Sequence, residues 1–254
     1  MITELTASQA EETARLLLQA RRTGTTLPHL PDQLRPTSQA EAHRVQDAIL
    51  ANLGPVGGWK IFASDDPMPF LSPIPQSLVR DQPARLPRGP LPIVLAELEI
   101  ALVLGKDLPA HGGTCTAEAA QDAIASLHPV LEIITFSWTD RDKVDRLSQL
   151  GDLQNSAGFV VGDALADWTG FDPMSALCTL IVDDVEQARS AAGASMPTIV
   201  ATLANLAGHA AARGLPLSKG QVISTGARVV ASTVAATTVR GEVAGLGSVS
   251  LSLT

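Results

Sequence analysis

The sequence predicts an α+β protein with a mixed or antiparallel, β-rich main part and a helical N-terminal part. Three observations carry this. The two clearest helix starts lie before residue 55, in "SQAEETARLLLQ" and "SQAEAHRVQDAILANLG". Strand-like apolar runs dominate from residue 93 onward and lack the strict strand–helix alternation of a doubly wound fold. The chain has 254 residues, 45% apolar and 17% charged, which is enough for one large domain with a real core. With no tyrosine and 3% aromatics, that core is built from Ala, Leu, Val and Ile.

Taken in order, Ser8 with Glu11 has the spacing of a capping box, and Ala14, Leu17 and Leu18 follow at helical spacing. Ser38 with Glu41 repeats the signature, with Gly54 as the stop. A strand-like "GGWKIFAS" comes next, and then 65–92, so rich in proline that it reads as irregular chain around at most one short strand. Strands are expected at 93–104, 129–136, 157–162, 177–183, 220–225, 235–243 and 247–253, the last two joined by a turn at "GLG". Two helices interrupt them. One is capped by Thr116 in "TAEAAQDAIASL"; the other runs from Pro197 to about Arg213. This divides the chain into a helical part at 1–56 and a β-rich part at 57–254, which can equally form one continuous domain.

The net charge is −8 and no Lys/Arg cluster stands out, which argues against nucleic acid and against an anionic membrane surface. The acidic start "MITELTASQAEE" has no apolar run of a secretory signal, and no stretch approaches the roughly 18 apolar residues of a membrane-spanning helix. Cys115 and Cys178 are far apart and read as free thiols. A soluble cytoplasmic protein is expected.

The stretch "VLAELEIALVL" raises the functional question. In a strand, Glu97 and Glu99 share a face with Ile93, Leu95, Ala101 and Val103, while Ala96, Leu98, Ile100, Leu102 and Leu104 form a wholly apolar opposite face. Two carboxylates roughly 6.5 Å apart at the backbone would repel one another on such a face and lose hydration. A divalent cation, a pair of arginines, or exposure at a sheet edge each resolves this. Glu132, a lone acid in the strand-like "HPVLEIITF", adds a third carboxylate. Three carboxylates without matching His or Cys suit a hard cation, Mg²⁺ or Mn²⁺ rather than Zn²⁺.

At these residues the chain resembles the fumarylacetoacetate hydrolase superfamily, within it the 2-keto-4-pentenoate hydratase and oxalocrotonate decarboxylase branch. "AELEIALVLGKDLP", "HPVLEII", "GWKI", "GDLQNSAGFVVG", "KGQVISTG" and the closing "GEVAGLGSVSLSL" resemble that branch's segments in order, from about residue 40 onward. The resemblance implies a metal-dependent catalytic domain at 57–254 and a homo-oligomer. It puts Glu97, Glu99 and Glu132 on Mg²⁺ or Mn²⁺, Lys60 and Asp152 among the catalytic groups, and Asn155, Ser156 and Thr225 against the substrate. Lys60, desolvated beside apolar walls, is expected to have a lowered pKa and to handle a proton or enolate charge.

The implied activity is a hydratase, a lyase adding water to a small 2-oxo or 2-hydroxy-dienoic acid in aromatic catabolism. Decarboxylation of a 2-oxo acid, C–C bond hydrolysis, and service as a catalytically silent partner subunit are the alternatives. Three stretches depart from the branch's pattern: "FAS" after the lysine, "DDPMPFLSPIPQ", and "TFS" at 135–137.

The remaining candidates have plainer readings. His128 is expected in a turn, His209 within a helix, and "TDRDKVDRL" as a solvated charge run or loop. The glycine pairs at 57–58 and 112–113 match no phosphate-binding loop.

Overall fold

The computed structural model describes residues 4–64, 70–108 and 114–254; the proline-rich tract at 65–69 and the glycine pair at 112–113 lie outside them. Helix α1 (Ala7–Thr23) starts one step earlier than its sequence signature. Thr6, not Ser8, is the cap: its Oγ1 accepts from Gln9 N–H at 3.2 Å while Gln9 Oε1 accepts from Thr6 N–H at 2.9 Å. Helix α2 (Gln39–Leu53) is capped by Ser38 and stopped at Gly54 as expected. The Glu41 carboxylate, however, accepts from Leu5 and Thr37 N–H and so ties the N-terminal strand of chain to α2.

The first strands are β1 (Val56–Lys60), β2 (Ser72–Pro75), β3 (Val79–Asp81) and β4 (Ala84–Leu86), so the proline-rich tract supplies three short strands where one at most was expected. After them come β5 (Ile93–Leu104), the short helix α3 (Ala117–Asp122) and β6 (Ile124–Thr135). Thr116 caps α3 as expected. The helix nevertheless ends at Asp122, and β6 begins well before 129, because "IASLHPVLEIIT" pairs along the whole length of β5. His128 therefore sits in mid-strand rather than in a turn, its Nδ1–H donating to the Gly162 carbonyl (2.9 Å) and its Nε2 bonded to Ser126 Oγ (2.8 Å).

The second half contains α4 (Arg146–Gly151), β7 (Ser156–Val161), β8 (Cys178–Val182), β9 (Val185–Ser190) and α5 (Met196–Ala212). It closes with β10 (Val222–Ser224), β11 (Val229–Ser232), β12 (Thr238–Val243) and β13 (Gly247–Leu253). The charge run "TDRDKVDRL" is neither a plain solvated face nor a loop alone, since Asp145 caps α4 through Ser148 N–H.

One sheet has the order β2-β1-β10-β5-β6-β7-β3, with β11 also on β5; the other has β4-β13-β12-β8-β9. Both mix directions, with β1 parallel to β10, β3 to β7 and β4 to β13 amid antiparallel pairs. This is the expected α+β class. The predicted apolar face of β5 is the centre of the core: Ala96, Leu98, Ile100, Leu102 and Leu104 are at most 1% exposed. They pack with β6, with the second sheet and with α5 through Leu180, Val249, Ile199 and Leu203. The two sheets approach so closely that a Cβ on Gly241 would lie 2.4 Å from Leu98 Cδ1. Ile93 departs from the expected face. A bulge before Leu95 turns it over, and it lines a groove with Ile133 and Thr135 instead. Among the described residues no helix is long and apolar enough to cross a membrane.

Candidate metal centre

Register alone brings the acids together. Glu97 pairs directly with Glu132 across β5 and β6, and Glu99 stands one same-face position along from Glu97. One carboxylate oxygen from each of the three lies within 4.8 Å of the others. Glu99 and Glu132 are fully buried, and Glu97 opens to the cleft with an 18% exposed side chain. Burial raises the pKa of Glu99, reinforced by the charge of Glu97; burial likewise pushes Glu132 well above the usual carboxylate range. Glu99 Oε1 and Glu132 Oε1 are buried without a hydrogen-bond partner, at a cost the protein must offset elsewhere. A hard divalent cation satisfies such a donor set, and the residues present fit it.

Lys60 supplies part of the compensation. Its Nζ lies 2.9 Å from Glu132 Oε2 and 3.4 Å from Glu97 Oε2, carried there by β1 on the parallel pairing with β10. The expected drop in its pKa does not occur. Burial pulls it down, but the charges of Glu132, Glu97 and Glu99 together hold it above its ordinary value. Lys60 is thus a held cation rather than a base.

The ladder along β5 is broken opposite Glu99: β10 pairs with 101–103 and β11 with 95–98. Residues 225–228 bridge the break. Thr225 Oγ1 donates to the Ile100 carbonyl at 2.7 Å, and Gly226 N–H donates to Glu99 Oε2 at 2.8 Å. Gly226 has φ 104°, and a Cβ there would press within 2.6 Å of the Phe62 ring, so only glycine brings this amide onto the glutamate.

Two connected lobes meet at Lys60 and Glu97. One, of about 500 Å³, is walled by Phe136, Arg141, Asp142, Val144, Gln149 and Asn155. The other, about 560 Å³, reaches past Phe62, Ser64, Glu99 and Gly226. Phe70, Arg146 and Gln154 line both, and the Arg146 guanidinium stacks 5.2 Å from the Phe70 ring centroid. Arg141 stacks likewise on Phe136 at 5.5 Å.

Of the expected substrate-side residues, Asn155 lines the first lobe, accepting from Trp138 Nε1 at 3.1 Å. Asp152 and Ser156 line neither lobe. Asp152 is fully buried in an ion pair with Arg21 of α1 (2.8 Å), and the Ser156 carbonyl accepts from the same guanidinium at 2.7 Å. Burial raises the pKa of Asp152, partly opposed by Arg21. Between them the chain makes a left-handed turn: Leu153, Gln154 and Asn155 have φ of 52°, 54° and 63°. Such a conformation costs non-glycine residues about 1–2 kcal/mol each, so the Arg21 clamp has work to do. Arg141, Arg146 and Gln154 were not foreseen. The arginines read as an ordinary charge run, and nothing in "DLQN" announces a left-handed turn.

Residues 53–251 match the fumarylacetoacetate (FAA) hydrolase C-terminal family. No curated protein matches the chain. Among solved structures, the 4-oxalocrotonate decarboxylase from Pseudomonas putida G7, complexed with magnesium and adipate, is 22% identical with a TM-score of 0.81, covering 98% of this chain and 99% of that one. The fumarylpyruvate hydrolase from Pseudomonas aeruginosa, in complex with Mn²⁺ and pyruvate, is 18% identical with a TM-score of 0.55, covering 77% and 88%. The 2-hydroxyhepta-2,4-diene-1,7-dioate isomerase from Mycobacterium marinum is 19% identical with a TM-score of 0.54, covering 80% and 77%. These are likenesses of fold.

Proposed function

The chain belongs to the fumarylacetoacetate hydrolase family, and from that premise we propose that it is a divalent-metal-dependent hydratase adding water to a 2-hydroxy-2,4-dienoate or 2-oxo-4-enoate. The observation that carries this reading is the convergence of Glu97, Glu99 and Glu132 beside Lys60. Glu97, Glu99 and Glu132 would hold Mg²⁺ or Mn²⁺, which would supply the Lewis acidity that makes a 2-oxo acid an electron sink.

The chain's own groups do the rest. Lys60 keeps a proton and a positive charge at the edge of the centre, placed to steady enolate charge or to deliver a proton. Thr225 and Gly226 hold Glu99 in place. Asn155 forms part of the substrate wall, and Asp152 acts through Arg21 as a positioning residue for that wall, with the Ser156 backbone as the second anchor. Phe62 and Phe70 supply the aromatic part of the second lobe's wall.

A second reading is favoured by one observation. Arg141 and Arg146 both line the first lobe, where they would pair with a second carboxylate at the far end of a dicarboxylic 2-oxo acid. Loss of CO₂ from such a substrate needs only the electron sink and a proton donor. Hydrolysis of a C–C bond, like hydration, asks for a base for water, and no histidine lines either lobe among the described residues.

The test is the ultraviolet absorbance of freshly generated 2-hydroxypenta-2,4-dienoate, with Mg²⁺ and then with EDTA. Metal-dependent decay to a hydrated 2-oxo product is expected. No decay of the dienoate, with CO₂ released from 2-oxohex-3-enedioate, would replace hydration by decarboxylation. Metal binding without turnover of either would mark a silent partner subunit.

A further inference from the structure

We propose that Gln154 is a specificity-determining residue whose amide oxygen accepts a hydrogen bond from a hydroxyl group of the ligand. The assignment rests on the reading of the cleft as a 2-oxo acid site. Gln154 lines both lobes, so a ligand anchored at the carboxylates passes it whichever lobe it extends into. The other residues shared by the lobes are two cations, Lys60 and Arg146, with Glu97 and the Phe70 ring; Gln154 is the uncharged polar group among them.

Its orientation is fixed. The side-chain Nε2 donates to Ser72 Oγ at 2.9 Å and to the Phe70 carbonyl at 3.5 Å, and a carbonyl can only accept. Ser72 is itself held by Gln46 Nε2 of α2 at 2.8 Å. Both amide hydrogens are thereby engaged. Oε1 meets no partner among the described residues, and it is an acceptor. An acceptor at this point disfavours a carboxylate and favours an O–H, the group that water addition leaves on a hydroxylated 2-oxo acid.

The backbone supports the same assignment. Three consecutive left-handed, non-glycine residues carry Gln154 to the junction of the lobes, and the flanking Arg21–Asp152 pair and Asn155–Trp138 bond hold them there. A wall required only to close the cleft could be made without such a turn.

The experiment is calorimetric binding, in Mg²⁺, of 4-hydroxy-2-oxopentanoate and of 2-oxopentanoate to the wild type, Gln154→Leu and Gln154→Gly. The wild type is expected to prefer the hydroxylated acid by about tenfold, the worth of one well-placed hydrogen bond. Gln154→Leu abolishes the preference while 2-oxopentanoate still binds. Gln154→Gly abolishes it too, and because glycine adopts the left-handed turn without strain this variant serves if the leucine disturbs folding. Equal wild-type affinity for the two acids, or a preference that survives in either variant, overturns the assignment alone. Failure of the wild type to bind either acid overturns the reading of the cleft and this assignment with it.

Discussion

Glu132 shows how a residue in an apolar strand can be read from its neighbours and yet owe its properties to partners far away in sequence. Its carboxylate is fully buried against two other acids, with Lys60 the nearest cation. Glu132→Gln is therefore expected to have two opposite effects. Mn²⁺ affinity, followed by isothermal titration, falls at least about tenfold, since even an outer-shell partner of a metal ligand is worth about 10–100-fold. Stability of the metal-free protein in urea rises, because one of three mutually repelling buried carboxylates is neutralised while Lys60 keeps Glu97 as a partner. Unchanged metal affinity would sink the carboxylate centre. A second site-independent test concerns His43 and His209, whose rings meet edge-on at 4.8 Å beside Arg213. Burial, then the Arg213 charge, lowers them to about 3 and about 4 from 6.5. A histidine depressed on folding is protonated first in the unfolded chain, so stability is full above pH 6.5 and drains away as the pH falls toward those values. Comparing wild type with His43→Phe isolates this from the carboxylates, among which the raised Glu99, Glu132 and Asp152 act in the opposite sense and the lowered ones, such as Glu41, in the same sense. The wild type should lose about 1 kcal/mol more than the variant between pH 7 and pH 5, after discounting for partial exposure. At this scale the three glutamates were legible because strand parity needs only the local sequence. Gln154 and the two cleft arginines were not, since their places depend on a backbone turn and on which helix face meets the cleft.

Among elements, the proline-rich tract is the most instructive. Its prolines left room for one short strand at most, yet β2, β3 and β4 all form, each at the edge of its sheet. An edge strand can spare the N–H that proline lacks. The helix expected to run through "DAIASL" gave way for a related reason: β5 presents twelve residues to be paired, and ladder bonds along β6 outweigh local helix propensity. Helix α1, by contrast, reaches the turn beside the cleft through one side chain, the Arg21 clamp on Asp152 and Ser156. Arg21→Ala leaves that carboxylate buried and unpaired and is expected to cost about 3–5 kcal/mol in chemical denaturation. Arg21→Ala with Asp152→Asn should recover most of it, because the neutral amide no longer needs the partner.

For the molecule as a whole, the division at residue 56 suggested by composition can be tested directly. Helices α1 and α2 pack Leu17, Val45 and Ile49 against Trp138, Val144 and Leu153, residues far along the β-rich part. Gln46 of α2 also donates to Ser72 Oγ and to the Leu150 carbonyl. We expect a chain beginning at residue 57 to lose cooperative thermal unfolding altogether; a sharp transition close to that of the full chain would establish separable domains.

The break in the β5 ladder reaches beyond the present molecule. The glutamates stand on two twelve-residue strands paired with one another along their length, whereas the cleft is lined from short pieces: residues 225–228, the left-handed turn, α4, and residues 61–64 and 70. Such a division of labour lets mutation accumulate in the recognition pieces without re-registering the strands beneath them. A lineage built this way can drift from one small ligand to another by small steps, each leaving a folded protein for selection to act on.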